Sequence, residues 1–217
     1  MEQHIQKTIE NLEKNGMEVC YVPTADAVPP AVKERLKPGD RVAVSGSVSL
    51  LETGVPTLLR SGDYVFVDRD ETGITPEEKA RRMVEAFETD VYFCSANAIT
   101  EAGELYHVDG LGNRVGAISF GPKKVILVVG VNKIVPNLTE AIRRVKTVAA
   151  PQNTKRLGSE TPCAVLGQCI TVGTDRETEM TAGCASPQRI CCKYLISGKQ
   201  RVTGRLCVLL CGEPLGF

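Results

Sequence analysis

The sequence lacks the features that would place it at once among nucleic-acid-binding, membrane or secreted proteins. Its 26 Lys and Arg residues are balanced by 26 Asp and Glu residues, whereas a nucleic-acid-binding surface normally gives a basic excess. The longest apolar stretch, Val125 to Val131, is far too short to cross a bilayer. The opening segment, MEQHIQKTIENLEKNG, is polar and amphipathic and contains no apolar signal-peptide core. We therefore expect a cytoplasmic protein with neither nucleic acid nor a membrane as a partner.

The composition that remains is that of an ordinary globular protein. Of the 217 residues, 42% are hydrophobic and 24% are charged, which argues against disorder and provides enough apolar material for one sizeable core. We expect a single domain with three parts. These are an α/β core at 1–157, a cysteine-rich loop region that carries an insertion at 158–204, and a closing strand and tail at 205–217.

Helix and strand patterns alternate along most of the chain. Apolar, β-rich runs predict strands at 17–22, 41–46, 64–68, 90–96, 124–130 and 205–211. The run at 124–130 is apolar at nearly every position, as expected for a central strand that is covered on both faces. The Gly-rich stretch 98–120 predicts β-hairpin structure, and the helix beginning at Asn137 is predicted to end near Ala149, before Pro151. The alternation predicts an α/β fold with a mainly parallel sheet flanked by helices.

Ligands of such sheets usually bind outside the carboxyl ends of the strands, and three loops at these positions carry polar side chains. The loop SGSVSLLETG at 45–54 follows a strand and opens a helix, so its small residues let the backbone approach an anion. The segment 97–124 concentrates carboxylates and amides between glycines, and GVNKIV at 130–135 adds a lysine that could meet a phosphate or carboxylate. The predicted ligand-binding residues are Gly46, Ser47, Ser49, Glu52, Asn97, Thr100, Glu101, Asp109, Asn113 and Lys133.

Each of these loops also has a purely structural interpretation. Small residues at 45–54 suit a tight strand-to-helix turn, Asp and Gly residues favour turns whatever the function, and a loop lysine is often simply solvated. His107 is one of only two histidines, and a lone histidine is more often a core or surface residue than a catalyst. The candidates for a general base are carboxylates, namely Glu52, Glu101 and Glu104.

Nine cysteines form the most unusual part of the composition, and seven of them fall between Cys163 and Cys211. An odd number in a chain without a secretion signal does not suggest a disulfide framework. Four thiolates suit zinc or an iron–sulfur cluster, and the candidates are Cys163, Cys169, Cys184 and Cys191, spaced C-x5-C-x14-C-x6-C. Without a C-x2-C pair this spacing leaves unrelated thiols as an equal alternative. Cys207 and Cys211 lie on one face of an apolar strand, which predicts buried packing residues.

Several segments, in this order along the chain, resemble the LUD (lactate-utilisation) domain family. They are SGSVSLLETG, NAITEAGELYHVDGLGNRV, FGPKKVILVVGVNKIV, AAPQNTKRLGSETPC, GQC, SPQRIC and GEPLGF. The resemblance covers nearly the whole chain. The family includes the C component of the bacterial lactate-utilisation operon. It implies a fold similar to that of the glucosamine-phosphate deaminase, ribose-phosphate isomerase and CoA-transferase group. Members of that group bind phosphorylated sugars, nucleotides or CoA at the strand ends.

The sequence departs from the family's pattern at two places. The second and third cysteines of the family stand close together, whereas here ITVGTDRETEMTAG separates Cys169 from Cys184. Gly183 replaces the aspartate that precedes the third cysteine in that pattern, and His107 stands where the pattern has Asn. A metal site on the four cysteines therefore requires the inserted segment to loop out without separating the ligands.

Three functional hypotheses follow from the residues and the resemblance. The first is an accessory or redox component of organic-acid (lactate-like) utilisation that binds a small anionic or nucleotide-like ligand. Its implied partners are the iron–sulfur proteins of a lactate-oxidising complex, and a homo-oligomer is left open. The second is a stand-alone isomerase- or transferase-type enzyme that acts on a phosphorylated or CoA-linked substrate. The third is a regulatory module whose thiols sense redox state.

Overall fold

The computed structural model describes residues 2–217, and two sheets organise them. The strands are β1 (Glu18–Val22), β2 (Arg41–Val44), β3 (Val65–Val67), β4 (Val91–Cys94), β5 (Ala98–Thr100), β6 (Leu105–Asp109), β7 (Lys124–Gly130), β8 (Ile134–Val135), β9 (Lys193–Ser197) and β10 (Leu206–Cys211). The larger sheet has six strands in the order β1-β10-β7-β4-β2-β3, and every pairing in it is parallel. The predicted α/β fold with a mainly parallel sheet is therefore confirmed.

Helices cover the sheet and connect its strands. They are α1 (Gln3–Lys14), α2 (Val28–Lys33), α3 (Val48–Glu52), α4 (Val55–Leu59), α5 (Pro76–Glu85), α6 (Asn113–Ser119), α7 (Leu138–Arg144), α8 (Ala150–Arg156) and α9 (Pro162–Leu166). Short 3₁₀ turns occur at Ala25–Ala27, Ala86–Glu88 and Val131–Lys133. Of the helices found in residues 2–217, none combines the length and the apolar composition needed to cross a membrane.

The central strand β7 explains why the sheet needs a layer on each face. Val125 to Val129 are fully buried, and their side chains alternate between two apolar clusters. Leu127 faces the cluster that contains Leu12 of α1, whereas Ile126 faces the cluster that contains Val32 of α2. Because successive side chains of a strand point to opposite faces, a run without polar residues can only be accommodated between two apolar layers. Cys207 and Cys211 are buried in one of these clusters, as the sequence predicts.

The smaller sheet has the order β8-β5-β6-β9 and corrects the prediction for 98–120. Strands β5 and β6 form the expected antiparallel hairpin, but 113–119 is helix α6 rather than strand. The reason lies in Asp109, the last residue of β6, whose carboxylate accepts hydrogen bonds from the backbone N–H groups of Gly110, Arg114 and Val115. Satisfying these otherwise unpaired amides favours a helix start at this point.

The helix predicted to end at Ala149 continues to Arg156, which is a second correction. Val145–Ala149 forms a π-helical turn between α7 and α8, and Pro151 lies in the first turn of α8. A proline is tolerated in a first turn because its missing N–H would have no helical partner there. In the π turn the hydrogen bonds change from the i→i+4 to the i→i+5 pattern directly before Pro151. The helix therefore continues past a proline that would otherwise end it.

Candidate ligand-binding site

A cleft with a volume of ≈ 270 Å³ opens at the carboxyl ends of the parallel strands. Side chains that follow β2, β3, β4 and β7 line it, together with the end of β6 and the end of α8. From these strand ends the cleft receives Ser45, Ser49, Arg69, Ser95, Asn97 and Lys133. The position agrees with the general rule for ligands of parallel sheets.

Cations dominate the lining of the cleft. Arg69, Arg114 and Arg156 contribute three permanent positive charges and Lys133 a titratable amine, against one side-chain carboxylate, that of Asp109. That carboxylate is already occupied by the three backbone N–H groups at the start of α6. Because three arginines outnumber this one carboxylate, the net charge of the lining side chains is positive, which favours an anionic ligand.

Lys133 is the most deeply buried of these four basic side chains, with 3% of its surface exposed. Its Nζ donates to the hydroxyl oxygens of Ser49 at 2.9 Å and Ser95 at 3.2 Å. No Asp or Glu oxygen in residues 2–217 lies within 4.0 Å of this amine. Burial lowers the pKa of Lys133 from 10.5 to about 7, with smaller effects in the same direction from Arg144 and Arg114.

Arg114 is held in place by neutral oxygen atoms. Its guanidinium donates to the backbone oxygens of Ser95 at 3.2 Å and Val108 at 2.6 Å, and to Oδ1 of Asn97 at 2.9 Å. The same Asn97 oxygen accepts from the N–H of Val108 at 2.8 Å, so Asn97 joins the ends of β4 and β6. None of these partners is charged, so the positive charge of Arg114 remains uncompensated at the cleft.

Two polar atoms of the lining are buried without a hydrogen-bond partner. They are Oγ of Ser45 and Nε of Arg69. The Arg69 nitrogen lies 3.5 Å from a carboxylate oxygen of Asp70, but the geometry is not that of a hydrogen bond. A buried polar group without a partner costs on the order of 1–3 kcal/mol, so a ligand or an ordered water that pairs with these atoms would be stabilised.

Seven of the ten residues predicted to bind the ligand line this cleft. They are Gly46, Ser47, Ser49, Asn97, Asp109, Asn113 and Lys133. The other three, Glu52, Thr100 and Glu101, do not line it. Thr100 and Glu101 lie at the far end of the β5–β6 hairpin, because Ala98–Thr100 runs away from the ends of the parallel strands.

The three carboxylates predicted as general bases lie outside the lining of the cleft. Glu52 accepts from the N–H of Gly216 at 2.6 Å, and Glu104 accepts from the hydroxyl of Thr100 at 2.9 Å. Glu101 pairs with Lys7 at 2.8 Å, and the hydrogen bond from that ammonium lowers the pKa of the carboxyl. Each of the three carboxylates therefore has a structural partner, and none of them lines the cleft.

Sequence reasoning missed six polar or charged residues of the lining, namely Ser45, Arg69, Ser95, Arg114, Asn153 and Arg156. Ser95 directly follows β4 and Arg69 is the second residue after β3, so the strand-end rule that selected Ser47 and Lys133 could have found them. Ser45 and Arg114 lie within the selected segments 45–54 and 97–124 but are not among the predicted ligand-binding residues. Arg156 is different, because it reaches the cleft from the end of a helix whose continuation past Pro151 was not predicted.

The four cysteines predicted as metal ligands line a second, much smaller cavity of ≈ 30 Å³. Cys163 lies 3.3 Å from the hydroxyl of Thr161, and Cys169 lies 3.4 Å from that of Thr171. Burial raises the pKa of Cys191 to about 12, and the other three thiols contribute to the same shift. Within residues 2–217, however, no three His, Cys, Asp or Glu side chains are grouped closely enough to hold a metal ion.

Comparison with known proteins identifies the family. The sequence model of the LUD domain matches residues 5–211, which is nearly the whole chain. The chain belongs to the LUD domain family. This membership supports a role related to lactate utilisation, as the resemblance of the motifs implies.

Two solved structures are similar to this LUD domain. A DUF162 family protein from Deinococcus radiodurans aligns over 97% of both chains, with 17% identity and a TM-score of 0.53. The beta subunit of eIF2B from Chaetomium thermophilum aligns over 52% of this chain and 39% of its own, with 15% identity and a TM-score of 0.37. No curated protein matches the chain. The Deinococcus protein shows a shared fold, and at this identity it shows nothing further.

The structure also shows how the LUD domain accommodates its two departures from the family's pattern. The inserted segment between Cys169 and Cys184 folds back onto the long helix, where Lys146 donates to the backbone oxygens of Arg176 and Glu179. Both flanking cysteines thus remain on one cavity. His107 is fully buried, and burial lowers its pKa well below 6.5, although a hydrogen bond to the backbone of Ser95 opposes this shift. An uncharged, buried ring of this kind is a packing residue.

Proposed function

We propose that this LUD domain binds a small organic or phosphorylated anion in the cleft and serves organic-acid utilisation as an accessory component. The observation that supports this most directly is the charge of the lining. Three arginines and the titratable amine of Lys133 line the cleft, whereas Asp109 is the one side-chain carboxylate there and is engaged by backbone N–H groups. A carboxylate or phosphate would compensate these charges and would pair with the free hydroxyl of Ser45.

The alternative of an isomerase- or transferase-type enzyme with a carboxylate base has less support. Such an enzyme needs a base within hydrogen-bond reach of its substrate, about 2.6–3.2 Å. The candidates Glu52, Glu101 and Glu104 are absent from the lining, and each accepts a hydrogen bond elsewhere. Anion binding without a carboxylate base is therefore the function that the cleft favours.

Anion binding is testable by calorimetric titration with inorganic phosphate, lactate and pyruvate. Arg69→Gln should weaken binding by about tenfold or more, because a charge-assisted hydrogen bond contributes about 1.5–3 kcal/mol. Arg81→Gln is the matched control, since this exposed arginine of α5 pairs with Glu78 and does not line the cleft. Affinity for the wild-type protein should also fall with added salt.

Equal affinities of the Arg69 and Arg81 variants would contradict the proposed site. An absence of measurable binding by all three anions to the wild-type protein would contradict the proposed function itself.

A second proposal concerns the four cysteines, and its support is their convergence on one cavity despite the insertion. We propose that Cys163, Cys169, Cys184 and Cys191 hold zinc or an iron–sulfur cluster. Four sulfurs around one zinc stand about 3.7 Å apart, since each Zn–S bond is about 2.3 Å, so binding would draw the thiols inwards. The loops around the cysteines contain only the short helix α9, so they have little regular structure of their own. A bound metal would therefore stabilise this region more than it would stabilise a regular core.

Metal content and the visible spectrum of anaerobically purified protein test the cysteine proposal. Cys184→Ser should lose the metal, whereas Cys192→Ser should keep it, because Cys192 is exposed and does not line the cavity. Iron with sulfide would indicate a redox component, and one zinc per chain would indicate a structural site. Protein without metal would overturn the proposal, and reversible thiol oxidation in that protein would favour redox sensing instead.

A further inference from the structure

Lys133 combines three properties that are rarely found together in a lysine. Its Nζ is buried at the wall of a cleft, it is fixed by two hydroxyls, and none of the salt bridges in residues 2–217 includes it. A lysine that only balanced a structural charge would stand beside a carboxylate, because an unpaired buried ammonium is costly. Burying the Lys133 amine without a carboxylate therefore lowers the stability of the folded protein. Proteins tolerate such a loss most often where the side chain has a function.

The surroundings of the amine favour its uncharged form. Desolvation is the largest influence, followed by the positive charges of Arg144 and Arg114, and Glu52 opposes them. With a pKa of about 7, on the order of half of the amines are uncharged at neutral pH, compared with well under 1% for an exposed lysine. Only the uncharged amine has a lone pair with which to attack a carbon atom.

We infer that Lys133 captures the carbonyl group of a 2-oxo carboxylate in the cleft as a covalent imine. The inference rests on the proposed anion-binding function, because the carboxylate must first be held by the neighbouring cations. The guanidinium of Arg114 remains without a charged partner and lines the same cleft as Nζ of Lys133. A carbonyl carbon lies one bond from the carboxylate in this class of compound, so a small cleft can hold both groups.

The chemistry is balanced without any further reactant. The nitrogen of the Lys133 amine forms a bond to the carbonyl carbon, and the oxygen takes up a proton to give a carbinolamine. The hydroxyl oxygen then takes up the remaining proton of the nitrogen, the C–O bond breaks and water leaves, and the lone pair of the nitrogen forms the C=N double bond. The hydroxyls of Ser49 and Ser95, at 2.9 Å and 3.2 Å from Nζ, are placed to pass protons between nitrogen and oxygen.

Reductive trapping on the full chain tests the inference. The protein is incubated with pyruvate, 2-oxoglutarate or glyoxylate in the presence of cyanoborohydride, which reduces an imine to a stable amine. Intact-mass measurement should show one adduct per chain, with the mass of the oxo acid less one oxygen atom. Peptide mapping should place this adduct on Lys133.

Three controls separate specific capture from labelling of exposed lysines. Lys133→Arg keeps the charge but removes the reactive amine, and Lys133→Met serves if arginine is too large for the site. Lys123→Arg is the matched surface control, since the side chain of Lys123 is 80% exposed and pairs with Asp90. Acetone has the carbonyl group but no carboxylate to pair with the arginines of the cleft. It should therefore label Lys133 at least about tenfold more slowly than pyruvate does, because one charge-assisted hydrogen bond is lost.

The outcomes distinguish the inference from the proposed function. An adduct on Lys133 that is lost in both Lys133 variants and kept in the Lys123 variant supports covalent capture. Adducts spread over surface lysines, or no adduct with any of the three acids, overturn it. If calorimetry still detects anion binding in that case, the cleft binds its ligand without covalent chemistry. If neither adduct nor binding is found, the proposed function fails as well.

Discussion

Replacing Lys133 with Met should remove a pH dependence from the free energy of unfolding. The buried amine has a pKa of about 7 in the folded protein, whereas the unfolded chain restores the ordinary value of 10.5. Between these two values the unfolded state binds more protons than the folded state, so the stability of the wild-type protein rises with pH. Below about pH 7 both states are protonated and this contribution becomes constant. Methionine has nearly the same length and cannot be protonated.

The magnitude follows from the difference between the two pKa values. Each unit is about 1.4 kcal/mol, so burial of the amine costs on the order of 4 kcal/mol at neutral pH relative to strongly alkaline solution. The variant also loses the two hydrogen bonds to Ser49 and Ser95. That loss is about 1 kcal/mol for each bond, and it changes little with pH. At neutral pH the variant should therefore be the more stable protein, by about 2 kcal/mol.

Urea unfolding of both proteins at about pH 7.5 and about pH 9 provides the measurement, because the contribution of Lys133 should change by about 2 kcal/mol over that interval. The decisive quantity is the stability of the wild type minus that of the variant, in which the titration of all other groups cancels. This difference should increase with pH, because the wild type gains stability relative to the variant as the pH rises. A difference that stays flat would refute the reasoning, since it would mean that Lys133 has an ordinary pKa in the folded protein.

Two further predictions concern the fold and use matched pairs of variants. Gly103→Ala should destabilise the protein by about 3–5 kcal/mol, because left-handed backbone strain adds to overpacking. Gly103 has φ +79°, and its new Cβ would lie 2.5 Å from the backbone carbon of Asn11. Gly73 has φ +87° but nothing within 4 Å of a new Cβ, so Gly73→Ala should lose only about 1–2 kcal/mol of stability from backbone strain. Equal losses of stability for the two variants in thermal unfolding would contradict this account. Leu127→Ala on β7 should cost about 2–5 kcal/mol, whereas Val165→Ala, 88% exposed, should change the unfolding midpoint little.

Much of the fold could be predicted from local sequence because the relevant forces act within a few residues. The apolar run of β7 requires burial on both faces, and that requirement alone selects a central strand. The strand-end rule selected Lys133 and Ser49, and both line the cleft, although no sequence signal links two residues 84 positions apart. Helix α6 was missed because its start depends on the carboxylate of Asp109, which the pattern equally suggests as a turn residue.

The sequence by itself determined the parallel sheet, and it selected the strand ends that line the cleft and the four cysteines that line the smaller cavity. Only the tertiary structure decided which polar side chains remain available there. Glu101 lies away from the cleft and pairs with Lys7, which is 94 residues away along the chain, whereas the hydrogen-bond partners of Lys133 are two hydroxyls. The insertion likewise returns Cys184 to Cys169 through contacts with Lys146. Local sequence predicts the helices and strands and the residue types at their ends. The pKa and the hydrogen-bond partners of a side chain instead depend on groups that meet only when distant segments pack together.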